Sequence, residues 1–252
     1  MSLSIISHPQ ICRPVLPQSQ NRLFISEFFC DSIQGENFVG YPAAFLRLQG
    51  CTLRCNWCDS YAVWKQGNPY SFTELFELME KAYLPLKLRE GQHLVLTGGS
   101  PLKQQDTLTR FLREFDLMYS FVPFVEVENE CVLLPNKEFN MYVDCWNNSP
   151  KLSNSGVPKR LRYNPIILEY MSSLENSWFK FVIDADCDWQ EIVEDFIKPG
   201  LIRKDQVVLM PLASTRKVLE INREFVVKVA IENNVRYSTR EHIELWDKTI
   251  GV

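Results

Sequence analysis

Along the chain, short apolar runs alternate with stretches in which apolar residues recur every three or four positions. The runs predict strands at residues 23–30, 43–48, 93–97, 121–128, 141–145, 178–184 and 206–210. Several, such as Leu94-Val95-Leu96, are continuous rather than alternating, as a parallel strand covered on both faces requires. Helices fall between them. Ser71 with Glu74 three residues on is a capping-box pattern ahead of Leu75, Phe76, Leu78 and Met79. Residues 107–118 carry Leu108, Phe111, Leu112 and Phe115 at helical spacing, and 214–233 carry Val218, Ile221, Phe225, Val226 and Val229 before the stop Asn233-Asn234. These stripes are core faces. About six strand–helix steps result, which predicts an α/β fold of mainly parallel strands, an incomplete, modified (β/α)6 partial barrel with its active site at the strand C-terminal ends.

Composition narrows the field. The chain has 252 residues, of which 46% are hydrophobic, enough for one large domain over 1–252. Residues 1–20 are expected to be a loose N-terminal arm, and 135–170, rich in Asn, Ser and Pro, an irregular insertion. A net charge of -4 without a Lys/Arg run argues against a nucleic-acid partner and for a small-molecule substrate. No apolar stretch reaches the length of a membrane span, and residues 1–20 lack the pattern of a signal peptide, so a cytoplasmic protein with no membrane contact is expected. Eight cysteines in such a chain read as reduced thiols.

Three of those thiols are concentrated in Cys51-Thr52-Leu53-Arg54-Cys55-Asn56-Trp57-Cys58, with no fourth cysteine close behind. A tetrahedral structural zinc takes four protein ligands, whereas an iron–sulfur cubane held by three thiolates keeps one iron open to a small molecule. The spacing alone leaves two alternatives standing: a zinc knuckle completed by Cys12, Cys30 or His93, or plain core cysteines. The remaining Cys12, Cys30, Cys131, Cys145 and Cys187 are scattered and carry no assigned chemistry.

The C-x3-C-x2-C loop, followed by the turn Gly98-Gly99-Ser100-Pro101 at the end of another strand, resembles the radical S-adenosylmethionine superfamily. Finer motifs resemble its 7-carboxy-7-deazaguanine synthase branch: Asp31-Ser32-Ile33-Gln34-Gly35-Glu36, Phe45-Leu46-Arg47-Leu48-Gln49-Gly50, Cys58-Asp59-Ser60, Ser149-Pro150-Lys151, Leu209-Met210-Pro211 and the closing segment from Ser238 to Trp246. The likeness spans nearly the whole chain. It implies a carbon–nitrogen lyase that turns 6-carboxy-5,6,7,8-tetrahydropterin into 7-carboxy-7-deazaguanine, with loss of ammonia, for queuosine-type biosynthesis. The cofactors implied are a 4Fe-4S cluster on Cys51, Cys55 and Cys58, S-adenosylmethionine on its open iron, and Mg²⁺ at Ser60. Trp57, Cys58, Asp59, Gly99, Ser149, Lys151, Met210, Pro211, Leu212 and Ala213 would surround adenosylmethionine. Ile33, Gln34, Gly35, Thr97 and His242 would meet the pterin, and Arg47, a planar two-pronged donor, would take its carboxylate. A flavodoxin-like electron donor and a homodimer are implied as well.

Three positions depart from the pattern. Ser100 replaces the usual glutamate of Gly-Gly-Glu-Pro, so backbone carbonyls are expected to carry more of the contact with the adenosylmethionine amino group. Glu126-Val127-Glu128-Asn129-Glu130 replaces the usual Thr-Asn-Gly turn, and Ser60 stands for a commoner threonine. Competing functions are a glycyl-radical activating enzyme, which Arg47 and His242 argue against, and a non-catalytic zinc-binding module.

Overall fold

Continuous apolar runs become adjacent strands of one sheet. A computed structural model describes residues 4–7 and 21–249. Its ten strands are β1 (Ser4–Ile6), β2 (Arg22–Ile33), β3 (Pro42–Leu48), β4 (Asn68–Ser71), β5 (His93–Gly98), β6 (Val125–Asn129), β7 (Cys145–Asn148), β8 (Ser177–Ile183), β9 (Val207–Pro211) and β10 (Arg236–Tyr237). They lie in the order β1-β2-β3-β5-β6-β7-β8-β9-β10, with β4 on β2. From β3 through β10 along this path every pair is parallel. β1, β3 and β4 each meet β2 antiparallel. The strands form an open sheet: no pairing joins the β1 edge to β10 among the described residues. The expectation of a mainly parallel α/β fold holds at that level.

Helical crossovers cover the sheet. Phe72–Lys81 begins at the expected capping box, in which Glu74 N–H donates to Ser71 Oγ (3.3 Å) and Ser71 N–H to Glu74 Oε2 (2.8 Å). Its buried Phe76 stacks on Phe111 of the helix Gln105–Tyr119 at 5.3 Å. The helix Arg216–Asn233 is capped by Thr215 and stopped by Asn234 in the left-handed region. One core runs from Ile6 to Ala230, each fully buried Leu or Phe in it contributing about 1.5–3 kcal/mol. No described helix is long and apolar enough to cross a membrane.

Three expectations are corrected. The segment 135–170 is not an irregular insertion: it carries β7, which sits between β6 and β8 inside the sheet, and the helix Pro165–Ser173. The strand expected at 141–145 starts only at Cys145, because Asn136 caps a helical turn at Lys137–Asn140 and leaves Met141 exposed. β7 ends in two asparagines that look like loop residues but are buried and bonded, Asn147 Nδ2–H to Glu126 Oε2 (2.7 Å) and Asn148 Nδ2–H to Ser177 Oγ (2.7 Å). The expected loose arm is tied down at Ser4–Ile6, which pairs with Phe28 and Phe29; its residues 1–3 and 8–20 lie outside those described.

Candidate functional site

The cysteine loop leaves the C-terminal end of β3, and the Gly-Gly turn leaves β5 beside it. The two main chains nearly touch: Ser100 N–H donates to Gly50 O (2.8 Å), and a Cβ on Gly99 would lie 2.1 Å from that oxygen. Only glycine allows this approach. Behind the loop, Asn56 N–H donates to Ser155 O (2.9 Å) and Trp57 Nε1–H to Asn154 Oδ1 (3.3 Å).

Cys51, Cys55 and Cys58 are half-buried free thiols lining one cavity of about 500 Å³ across the C-terminal ends of the parallel strands. Burial first, then the Glu130 and Cys55 charges, push the Cys51 thiol up to about 11, and burial raises Cys55 as well. Leu53 N–H points at Cys51 Sγ (3.3 Å) and Trp64 Nε1–H at Cys58 Sγ (3.4 Å), the N–H···S contacts that stabilise cluster-bound sulfur. The donor set therefore fits a three-thiolate iron–sulfur cluster. A zinc completed by His93 or Cys30 does not fit. His93 opens β5 at the far end of the strand, Cys30 is buried within β2, Cys12 lies outside the described residues, and no three His, Cys, Asp or Glu side chains among those described converge on one ion.

The other expected residues largely meet here. Arg47, Trp57, Asp59, Ser60, Gly99, Ser149, Lys151 and Met210 line the same cavity, as do Ile33, Gln34, Gly35, Thr97 and His242. Pro211, Leu212 and Ala213 do not line it. After Met210 the chain turns away, because Leu212 N–H bonds Ile183 O (2.9 Å), Asn222 Nδ2–H bonds Leu212 O (2.7 Å), and Ala213 packs on Leu219 and Ile243. Ser214 returns to the cavity wall in their place.

At the substrate side, Arg47 is held by Nε on Glu27 Oε2 (3.0 Å), and its two terminal nitrogens bond to nothing among the described residues. Gln34 is less free than its motif suggests: its Nε2–H donates to Glu126 Oε2 (2.9 Å) and its Oε1 accepts from Gly35 N–H (2.8 Å). Ser238 Oγ–H fastens Gly35 O (2.8 Å), bringing the C-terminal motif onto this loop. His242 faces the cavity, and the protein around it, with the Arg240 guanidinium, pushes its imidazole down to about 4, leaving it uncharged at neutral pH. Against desolvation, Arg240 holds the Asp59 carboxyl below its ordinary range.

Several wall residues carried no assignment from sequence: Glu27, Glu36, Glu128, Glu130, Lys180 and Arg240. Burial raises Glu128, to which Thr97 Oγ–H donates. Burial and then Arg240 pull the Lys180 ammonium down to about 7, while the Glu36 carboxylate in contact with it favours the charge. A signal for Lys180 was present: a lysine inside the apolar run Phe179-Lys180-Phe181 of a covered strand is costly to bury without a task.

A model of a 4Fe-4S single cluster domain matches residues 34–122. A 7-carboxy-7-deazaguanine synthase of Pyrobaculum aerophilum is 34% identical over 231 residues, covering 91% of this chain and 97% of that one. One of Rhodopirellula baltica is 29% identical over 245 residues, 92% and 90% of the two chains. The fold is similar to a crystal structure of QueE from Escherichia coli, with a TM-score of 0.61 at 20% identity over 88% of this chain and 98% of that one.

Proposed function

The chain belongs to the 7-carboxy-7-deazaguanine synthase family, and from that premise we propose that its cavity binds 6-carboxy-5,6,7,8-tetrahydropterin and contracts it to 7-carboxy-7-deazaguanine with loss of ammonia. One observation carries the substrate assignment. Arg47, anchored through Nε alone, lines the cavity that the three cysteines line and has both terminal nitrogens without a bond among the described residues. A fork fixed at its root is pre-organised for a carboxylate.

When bound on Cys51, Cys55 and Cys58, the cluster supplies the electron that cleaves adenosylmethionine and so starts radical chemistry at the substrate. The chain's own residues bind and orient. Lys151, whose Nζ donates to Ser149 Oγ (2.7 Å) and lies 5.6 Å from the Trp57 ring centre, supplies a cation on the adenosylmethionine side. Thr97, Glu128 and the neutral His242 surround the pterin, and the main chain at Gly35 rather than the engaged Gln34 amide meets its edge. Ser60 keeps a hydroxyl at the wall, suited to Mg²⁺ shared with substrate oxygens and water. The whole chain acts as one domain, an incomplete barrel, working in the cytoplasm as a homodimer with a flavodoxin-like donor.

The test is anaerobic incubation of the reconstituted protein with carboxytetrahydropterin, adenosylmethionine and a reductant. Mass spectrometry should find 7-carboxy-7-deazaguanine. A fully loaded protein that leaves the pterin intact refutes the assignment.

A further inference from the structure

Glu130 has no cation bonded to it among the described residues. Its Oε1 accepts from Thr52 Oγ–H (2.5 Å), next to Cys51, and from Ser100 Oγ–H (2.5 Å), while its Oε2 takes no hydrogen bond from any described residue. The residue is 6% exposed and that exposure is to the cavity, beside Cys51 and Cys55. That second oxygen is open to the cavity rather than sealed in protein, so it is an acceptor held ready for a donor carried by a ligand. The donors already present are both neutral hydroxyls, and both grip the same oxygen. They leave the other oxygen free on the wall of the cavity that the thiols also line.

Ser100 stands in the Gly-Gly-Ser-Pro turn where a glutamate was expected from the resemblance. Its hydroxyl hands the position to a carboxylate arriving from the next strand. Resting on the proposed use of adenosylmethionine, we propose that Glu130 binds the amino group of that ligand, so that a side chain beyond the end of β6, and not backbone carbonyls alone, receives its N–H donors. The carboxylate has moved from one strand end to its neighbour while facing the same place.

The experiment compares wild type with Glu130→Gln, both cluster-loaded and anaerobic, by calorimetry with adenosylmethionine and by competition with an analogue that lacks only the amino group. The amide oxygen introduced by this change keeps an acceptor for Thr52 and Ser100, so the loop and turn stay joined. Adenosylmethionine should bind E130Q about 10- to 100-fold more weakly, the scale of a hydrogen bond to a charged group. The deaminated analogue should bind both proteins alike. Equal adenosylmethionine affinity overturns the assignment, and so does an equal loss for both ligands, which marks Glu130 as structural. A wild type that binds neither ligand overturns the cofactor reading and this assignment with it. A second variant, S100E/E130A, returns the carboxylate to position 100 and should regain most of the lost affinity.

Discussion

Replacing Gly99 by alanine isolates the contact on which the cluster loop is built. The added Cβ would sit 2.1 Å from Gly50 O, 2.5 Å from Gly50 C and 2.7 Å from Cys51 Cβ. Ordinary contact for such atoms begins near ~3.5 Å, so the end of β5 and the first turn of the loop must part by more than about an ångström. That strains the Ser100 N–H bond to Gly50 O and moves Cys51 relative to Cys55 and Cys58. Overpacking costs about 1–3 kcal/mol and a weakened hydrogen bond about 1 more. For a chain of this size the sum lowers Tm by about 5–10 °C. Thermal unfolding of the cluster-free protein reads the first effect, and iron bound per chain after anaerobic reconstitution reads the second. Gly91→Ala is the control, because Gly91 has φ +102° but no atom within 4 Å of an added Cβ, so it carries backbone strain without the contact. G99A should lose both stability and iron, whereas G91A should lose stability alone. A G99A protein that melts within about a degree of its parent and takes up the full complement of iron would refute the reasoning.

Cys55→Ala should abolish stable cluster binding and turnover while leaving circular dichroism unchanged, since the loop lies at a strand end; wild-type iron and sulfide contents would remove Cys55 from the ligand set. Arg47→Lys keeps a charge beside the nearly buried Glu27 and should keep the fold and iron, but should weaken carboxytetrahydropterin in calorimetry by about tenfold or more; unchanged affinity contradicts the fork. Arg47→Ala should also destabilise, by about 3–5 kcal/mol, as Glu27 loses its partner. Lys180 is held below its ordinary 10.5 at about 7, so between those values the unfolded chain binds more protons and the wild type gains stability with rising pH, at most about 1.4 kcal/mol per pH unit. Denaturant melts at several pH values should show Lys180→Met lacking that gain; identical pH dependence would mean that Lys180 is not a strained buried charge.

Periodicity recovered the elements whose side chains face one core. β5 and the helices over Phe72–Lys81 and Gln105–Tyr119 were legible because burial there imposes continuous or helical apolar spacing. β7 was not, since Asn147 and Asn148 satisfy their amides inside the sheet through Glu126 and Ser177, which only the folded arrangement reveals. In the site, the cysteines and the Gly-Gly turn stand out because their chemistry depends on local spacing. Arg47, Gln34 and His242 were reached through resemblance; all three line the cavity, with Gln34 bonded to Glu126 and Gly35. Pro211, Leu212 and Ala213 followed from a motif whose chain turns away from the cavity after Met210, three residues earlier than expected. Glu36 with Lys180, and Glu130 with Ser100, meet across 144 and 30 residues, so no spacing rule could have joined them.

Turnover with adenosylmethionine in deficit tests the central assignment most directly. If 5′-deoxyadenosine gives a hydrogen atom back to the product-forming radical so that adenosylmethionine is re-formed, as the assignment requires, reduced, cluster-loaded protein given excess carboxytetrahydropterin should form more 7-carboxy-7-deazaguanine than the adenosylmethionine supplied, with ammonia matching product and no build-up of 5′-deoxyadenosine. Product capped at the amount of adenosylmethionine, or 5′-deoxyadenosine accumulating while the pterin is untouched, would contradict it.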